Sequence, residues 1–164
     1  MTDEPMTVKQ FLNHVRCQQN KLNSLRREQI LIRQDIADIK GQRYDKDKIS
    51  GSKQSDLCDL VIRLDDRLHD SDARVAYQIA VLHQLRQQAI RMILSIDDEE
   101  IQSIMFDRYI NDMTWQQIIT DRTAGLQGDY LDRTIYRRHG IGLQMLVRTY
   151  GDCITPDNRV SDCQ

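Results

Sequence analysis

Two short stretches decide the C-terminal fold: T-W-Q-Q-I-I-T-D-R at positions 114–122 and T-I-Y-R-R-H-G-I-G-L-Q-M-L at positions 134–146. Thr114 can cap a helix, because Gln117 three residues later can accept a hydrogen bond from its backbone N–H, as in a capping box. The inner side of this short helix is predicted to consist of Trp115, Ile118 and Ile119. Trp115 is expected to anchor the core of a small domain rather than to serve as a functional aromatic residue.

A second helix is expected after a turn, with Asp129 or Asp132 as its cap and an end near residue 148. Its buried face is predicted from the helical spacing of Leu131, Ile135, Gly142 and Leu146. Polar side chains lie off that face, at Arg133, Thr134, Arg137, Arg138 and Gln144. Two helices joined by a turn, with arginines on the second, form the layout of a helix-turn-helix reader of DNA.

Six side chains of this second helix are predicted to contact DNA: Arg133, Thr134, Arg137, Arg138, His139 and Gln144. Arginine suits this role because its guanidinium group binds phosphates and the O6/N7 edge of guanine through two hydrogen bonds. For His139, packing beneath the helix is an equal alternative. The net charge of the chain is −2, so DNA affinity depends on the local +3 of residues 131–148, which hold four arginines and one aspartate.

Both stretches resemble a known motif. R-Y-I-N-D-M-T-W-Q-Q-I-I at 108–119 resembles "R-Y-x-x-G-x-T-W-x-x-I-A", the opening of a helix-turn-helix similar to region four of bacterial sigma factors. The stretch at 134–146 resembles its second helix, "x-V-Y-R-L-H-x-x-A-L-x-x-L". Phage proteins of the RinA and ArpU type, and a related uncharacterised phage family, join such a motif to a long N-terminal coiled coil. I-S-G-S-K-Q-S-D-L at 49–57 resembles the loop that splits this coil.

This resemblance implies a transcription regulator of phage late genes, since members with assigned roles activate such genes. The sequence differs from the pattern in two places. The connection at 122–131 is longer than the usual turn of about 3–4 residues. Gly140 and Gly142 lie where the second helix should continue, and each costs about 1 kcal/mol relative to alanine.

An N-terminal coiled coil is also predicted from heptads in the sequence itself. In residues 8–39 the two seams contain Val8, Val15, Leu22, Gln29 and Ile36, and Phe11, Gln18, Leu25, Ile32 and Ile39. In residues 57–96 they contain Val61, Leu68, Val75, Leu82, Ala89 and Ile96, and Leu57, Leu64, Ser71, Gln78, Leu85 and Met92. A loop at 41–55 separates the two runs, so an antiparallel hairpin is expected.

The polar seam residues are expected to fix the hairpin register if Gln18 or Gln29 meets Ser71 or Gln78. Leu12, Ile30, Leu31 and Ile79 lie beside the seams and are expected to widen the apolar surface. A homodimer formed by two hairpins would bury that surface in a four-helix bundle, and RNA polymerase is the other candidate partner for it.

The whole chain is therefore predicted to be all-α, with a coiled-coil hairpin at 1–96, a helix-turn-helix domain at 97–149 and a flexible tail at 150–164. Thr7 is expected to cap the first helix and Asp97 the helix that supports the motif. The apolar face of that supporting helix is predicted at Ile101, Ile104, Met105 and Tyr109.

No pattern for catalysis is present, since G-x-x-x-x-G-K-[ST], G-x-S-x-G and H-E-x-x-H are all missing from the sequence. The four histidines and four cysteines have no metal-ligand spacing, so no enzyme activity, metal or cofactor is expected. The sequence has neither the apolar core of a signal peptide at M-T-D-E-P-M nor a run of about 18 apolar residues. We expect a protein with free thiols in the cytoplasm of a bacterial host, without a membrane partner.

Two functions of different classes remain open. One is a transcription regulator that binds promoter DNA through residues 122–148. The other is a coiled-coil assembly or adaptor protein, for example a DNA-packaging subunit, whose C-terminal helices only pack. Whether the arginines are needed for binding to duplex DNA distinguishes them.

Overall fold

A computed structural model of the chain describes residues 6–42, 53–123, 130–152 and 154. These residues form five helices, α1 (Val8–Gln42), α2 (Lys53–Leu94), α3 (Glu99–Tyr109), α4 (Trp115–Thr123) and α5 (Tyr130–Tyr150). Within the described residues there is no strand, and the only β-type pairing is a single antiparallel bridge between Met6 and Ile154. The predicted all-α class, a long hairpin followed by a small helical domain, is confirmed.

The helix α1 begins where its capping signal predicts. The backbone N–H of Thr7 donates to Gln10 Oε1 at 2.9 Å, and the backbone N–H of Gln10 donates back to Thr7 Oγ1 at 3.3 Å. This reciprocal pair satisfies two of the amides that the first turn of a helix leaves without partners. The predicted cap is therefore confirmed.

The predicted seams are buried in both long helices. In α1 the buried seam residues are Val8, Phe11, Val15, Gln18, Leu22, Leu25, Ile32 and Ile36. In α2 they are Leu64, Ser71, Val75, Gln78, Leu82, Leu85, Ala89 and Met92. Ile39, Val61 and Leu68 are half-buried, and the side chain of Leu57 lies outside the described residues. The heptad prediction is confirmed because these periodic positions are removed from solvent.

Contacts within residues 20–79 show that the two long helices run antiparallel. Ile32 and Ile36 of α1 form one cluster with Leu64 of α2. Flanking this cluster, Glu28 pairs with Arg74 at 3.6 Å and Arg33 pairs with Asp72 at 3.5 Å. Positions on α2 fall as those on α1 rise, as an antiparallel hairpin requires.

The predicted register contact of Gln29 with Ser71 or Gln78 is not formed, whereas the alternative through Gln18 stays a prediction. Gln29 donates through Nε2 to Oδ1 of Asp72 at 2.5 Å, so its partner lies beside the seam and is neither Ser71 nor Gln78. A carboxylate accepts more strongly than a hydroxyl group, which favours this pairing. Leu12 was also expected to widen the exposed apolar surface, but it is fully buried, whereas Ile30, Leu31 and Ile79 are exposed.

The loop predicted at 41–55 is too long at both edges. Helix α1 continues to Gln42 and α2 already begins at Lys53, while the residues between them lie outside the described part of the chain. Backbone hydrogen bonding need not stop where a heptad pattern of side chains stops, and Gly41 costs a helix only about 1 kcal/mol.

The helix α3 is capped by Asp98, not by Asp97 as predicted. Oδ1 of Asp98 accepts hydrogen bonds from the backbone N–H groups of Glu100 at 3.0 Å and Ile101 at 2.9 Å. The burial of Ile101 sets the phase of the helix, and this phase puts Asp98 at the cap position. The predicted apolar face of α3 is confirmed, because Ile101, Ile104, Met105 and Tyr109 are all buried.

The chain divides into two compact units, Asn20–Ile79 and a second unit made of Met1–Gln19 with Ala80–Gln164. In the second unit Ile154 is buried, and its backbone exchanges hydrogen bonds with Met6 at 2.9 and 2.7 Å. Ile154 lies within the predicted tail, of which residues 153 and 155–164 are outside the described part. The predicted boundary at 96/97 stays a prediction. No helix among the described residues is both long enough and apolar enough to span a bilayer.

Candidate nucleic-acid interface

The pair formed by α4 and α5 begins with the predicted capping box. The backbone N–H of Thr114 donates to Gln117 Oε1 at 2.8 Å, and the N–H of Gln117 donates to Thr114 Oγ1 at 3.3 Å. The box fixes where α4 starts, and Ile118 in its next turn is fully buried. Helix α5 begins at Tyr130, so Asp132 lies inside its first turn and is not its cap, while Asp129 is outside the described residues.

The short link between α3 and α4 is held by arginines that the sequence did not single out. Asp112 has a φ of +56°, in the left-handed region, and its carboxylate accepts from Arg16 Nε of α1 at 2.7 Å. Glycine stands at this position in the sigma-like pattern, and a positive φ accounts for that choice. Two carbonyl groups of the link also accept from arginines, Ile110 from Arg86 at 2.6 Å and Met113 from Arg108 at 2.9 Å.

Helices α3, α4 and α5 share one small core. Its buried centre consists of Ile104, Ile118 and Ile135, and Trp115 packs against it while remaining partly exposed. Arg122 ties α4 to α3, because its Nη2 donates to Ser103 Oγ at 2.7 Å and to Asp107 Oδ2 at 2.6 Å. The core fixes which face of α5 is turned to solvent.

Gly142 allows α5 to lie close to α3. A β-carbon at this position would come within 2.7 Å of Ile101 Cγ2 and within 3.2 Å of Met105 Cγ and Sδ. Because the isoleucine side chain is branched at Cβ, it cannot easily turn away. The sigma-like pattern has alanine here, and in this chain the contacts with Ile101 and Met105 leave too little room for its β-carbon. The predicted buried face of α5 is confirmed at Ile135, Gly142 and Leu146, and the side chain of Leu131 is outside the described set.

Opposite this buried face, α5 presents a row of polar side chains that we call the arginine stripe. Its members are Arg133, Arg137, Gln144 and Arg148, and all four are exposed. Separations of four, seven and four residues place them on one side of a helix. Among the described residues, none of the three arginines forms an ion pair. Three of the four members are among the residues predicted to bind DNA, and no contact tests that role.

Arg138 and Thr134 lie beside the stripe. Arg138 is the third arginine expected to bind DNA, and its Nη1 instead forms an ion pair with Oε1 of Glu100 on α3. Both partners are partly exposed, and pairs of this kind contribute about 0–1 kcal/mol. Thr134 is half-buried. Their predicted contacts with DNA stay predictions.

His139 packs inside the domain. Its Nε2 shares a hydrogen bond with the Tyr109 hydroxyl at 2.9 Å, and its ring meets the edge of Trp115 at 4.8 Å between centroids. Burial, and to a smaller extent the nearby positive charges of Arg108 and Lys9, lower the pKa of His139 to about 4. The geometry favours packing beneath the helix, the alternative to a phosphate contact.

The low pKa of His139 predicts an acid-sensitive domain. The folded pKa of about 4 lies below the ordinary 6.5, so the unfolded chain takes up the proton first as the pH falls. Stability is therefore full above about pH 6.5 and is lost between about 6.5 and 4. We expect a loss of about 2 kcal/mol, after discounting the shift for the part of the ring that solvent reaches.

Urea unfolding from pH 7.5 to pH 4 measures this loss, with His139→Gln as the control. The variant lacks the titrating ring but keeps a polar group that can bond Tyr109. The difference in unfolding free energy between the two proteins should shrink as the pH falls. A constant difference across the range would show that His139 is not held neutral by the fold.

Sequence reasoning placed three members of the stripe and missed Arg148. The helical spacing could have identified it, since Arg148 follows Gln144 by four residues and Arg137 by eleven, which is three helical turns. The pairing of Arg138 with Glu100 could not be found this way, because it depends on how α3 crosses α5.

Among the described residues, no group of three or more His, Cys, Asp or Glu side chains is placed to hold a metal ion. Comparisons with protein-family models, with curated proteins and with solved structures found no match for this chain. Helices α3–α5 and the sequence resemblance to sigma region four are therefore the grounds for a proposal about function.

Proposed function

We propose that this chain is a phage-encoded transcription regulator that binds duplex DNA through the arginine stripe of α5 and acts on late genes. The observation that carries the proposal is the exposed stripe itself, on the second helix of a capped helix pair. Five other arginines of this unit are engaged: Arg16, Arg122 and Arg138 pair with carboxylates, and Arg86 and Arg108 bond backbone carbonyls, while Arg91 of α2 forms no ion pair with a described residue. The stripe arginines have no such use within the described chain.

The electrostatics of the stripe support an anionic partner. Arg133 and Arg137 are four residues apart, so their like charges lie side by side and destabilise the helix by about 0.2–0.5 kcal/mol. A phosphate between them would reverse the sign of this effect. From Arg133 to Arg148 the stripe is about 22 Å long at 1.5 Å per residue, whereas the major groove is about 12 Å wide. Its ends could therefore meet phosphates on both walls of the groove.

A homodimer formed through the hairpin is part of this proposal. Within Asn20–Ile79 several large apolar side chains remain exposed: Ile30, Leu31, Leu60, Ile62, Tyr77 and Ile79. Dimerisation would cover part of this surface and would double the DNA contacts, with half-sites about 34–36 Å apart or a multiple of that spacing. RNA polymerase is the alternative partner for the same surface, in the cytoplasm of the host cell.

The dimer predicts the mass of the full-length chain in solution. We expect light scattering to give twice the mass of one chain, and a monomer when Leu31 and Ile62 are both changed to lysine. Both side chains are about 60% exposed, so the substitutions should not disturb the hairpin itself. Arg27→Lys, at another exposed position of α1, serves as the control and should remain dimeric. A monomeric wild-type chain would contradict the dimer and leave the surface for another protein.

The same exposed side chains favour the second candidate function, an assembly or adaptor protein. In that case the hairpin binds a protein and the stripe binds no DNA. A footprinting experiment with the full chain on the DNA flanking its own gene separates the two. A transcription regulator should protect discrete sites in the major groove. If the chain protects no site at concentrations at which its hairpin saturates a protein partner, the adaptor function is favoured.

A further inference from the structure

Gly140 has no structural explanation within α5. It lies in the middle of a regular helix, where glycine costs about 1 kcal/mol relative to alanine. A β-carbon built at Gly140 would meet nothing within 4 Å, so no neighbouring group in the described chain requires its absence. The backbone there also does not need the left-handed region, unlike Gly151, whose φ is +81°.

Gly142, two residues later, provides the internal comparison. A β-carbon at that position would collide with Ile101, so its absence serves the packing of α5 on α3. Both glycines lie in the same continuous helix, and the packing of the described residues explains only one of them. The reason for the other must be sought on the side of the helix that faces outward.

Gly140 lies within the arginine stripe. It follows Arg137 by three residues and precedes Gln144 by four, so it occupies the same side of the helix between these two exposed side chains. At this point the stripe has no side chain, and the half-buried backbone of Gly140 lies between the two exposed ones. Glycine serves in this way where a ligand must approach the backbone closely.

We infer that Gly140 is the point of closest approach between the α5 backbone and duplex DNA. This inference depends on the proposed function and deepens it. Arg137 and Gln144 extend to either side of the gap, and the edge of the duplex fits between them. A larger side chain at position 140 would collide with the edge of the duplex at that point, while the long arginine side chains keep their phosphate contacts, so the helix-destabilising residue is retained for binding.

The inference predicts opposite effects on stability and on binding. Gly140→Ala should raise the melting temperature by about 2–4 °C, because it restores helix propensity in a chain of this size. Gly140→Leu should keep that gain but bind DNA roughly tenfold more weakly, which corresponds to about 1.4 kcal/mol. Neither change alters a charge, so the slope of log K against log salt should stay the same.

The experiment uses the full-length chain and a duplex that the wild-type protein selects from a random-sequence pool. Thr149→Leu adds bulk to α5 on the side away from the stripe and should bind as the wild type does. Gly142→Ala should lower the melting temperature, in contrast with Gly140→Ala. If the leucine variant fails to fold, the alanine variant carries the test, with affinity expected to fall roughly threefold.

Three outcomes would reject the inference. Wild-type affinity in both Gly140 variants, with binding still dependent on Arg133 and Arg137, rejects the close approach and leaves the proposed function intact. A smaller salt slope in Gly140→Leu would mean that phosphate contacts were displaced, which contradicts a local contact at this residue. Absence of any binding to duplex DNA by the wild-type chain would reject the proposed function and the inference together.

Discussion

Reversing both Arg133 and Arg137 to glutamate is expected to weaken binding of duplex DNA by about 100-fold or more. Loss of one arginine contact costs about 1–3 kcal/mol, and each reversal also places a negative charge opposite the phosphates. The two contacts should also reduce the slope of log K against log salt by about two. Fluorescence anisotropy with a labelled duplex at several salt concentrations measures both quantities.

Arg27→Glu is the matched control for this experiment. Arg27 is exposed on α1, outside the candidate interface, and forms no ion pair with another described residue. Its reversal makes the same change in charge per residue and should leave the DNA affinity within about twofold of the wild type. If the double variant binds as the control does, the stripe is not the DNA surface and the adaptor function gains support.

Trp115→Ala is expected to lower the free energy of unfolding by about 3 kcal/mol. Loss of a buried tryptophan costs about 3–5 kcal/mol, and the lower end applies because the ring is partly exposed. The ring contacts three side chains of the domain. Cζ of Arg108 lies 4.6 Å from its centroid, and the ring centroids of Tyr136 and His139 lie 4.9 and 4.8 Å from it. Urea unfolding followed by circular dichroism at pH 7.5 measures the loss.

Two variants control for this result. Trp115→Phe keeps an aromatic ring beneath Arg108 and should recover at least half of the loss. Gln116→Ala changes the next residue of α4, which is exposed, and should alter stability by no more than about 0.5 kcal/mol. If Trp115→Ala unfolds at the same urea concentration as the wild type, the ring contributes nothing to the core and its proposed role as an anchor is wrong.

Structural features that depend on local chemistry or on periodicity could be predicted from the sequence. Both capping boxes could be predicted because threonine and glutamine three residues apart satisfy each other's backbone groups wherever a helix starts. The seams of α1 and α2 could be predicted because burial follows the heptad, from Val8 to Met92. The edges at Gln42 and Lys53 could not, because helix termini depend on small differences in free energy that no side-chain pattern encodes.

Features of the candidate interface that depend on tertiary contacts could not be predicted from the sequence. The roles of Gly142 and Arg138 depend on Ile101 and Glu100, which approach α5 from another helix. His139 directly follows two arginines in the sequence, which suggested a phosphate contact, but its ring packs on Tyr109 and Trp115. Periodicity predicted the helix α5 and most of its exposed side, but it could not predict which polar side chains of α5 form contacts within the domain.

A photo-cross-linking experiment tests the central claim most directly. Gln144 lies on the arginine stripe and Thr149 on the other side of α5, and both are exposed. Each is replaced in turn by a photoreactive phenylalanine analogue in the full-length chain, which is then mixed with duplex DNA and irradiated. The account predicts a covalent protein–DNA product from position 144 and little or none from position 149. Equal yields from both positions, or a product from position 149 alone, would contradict it.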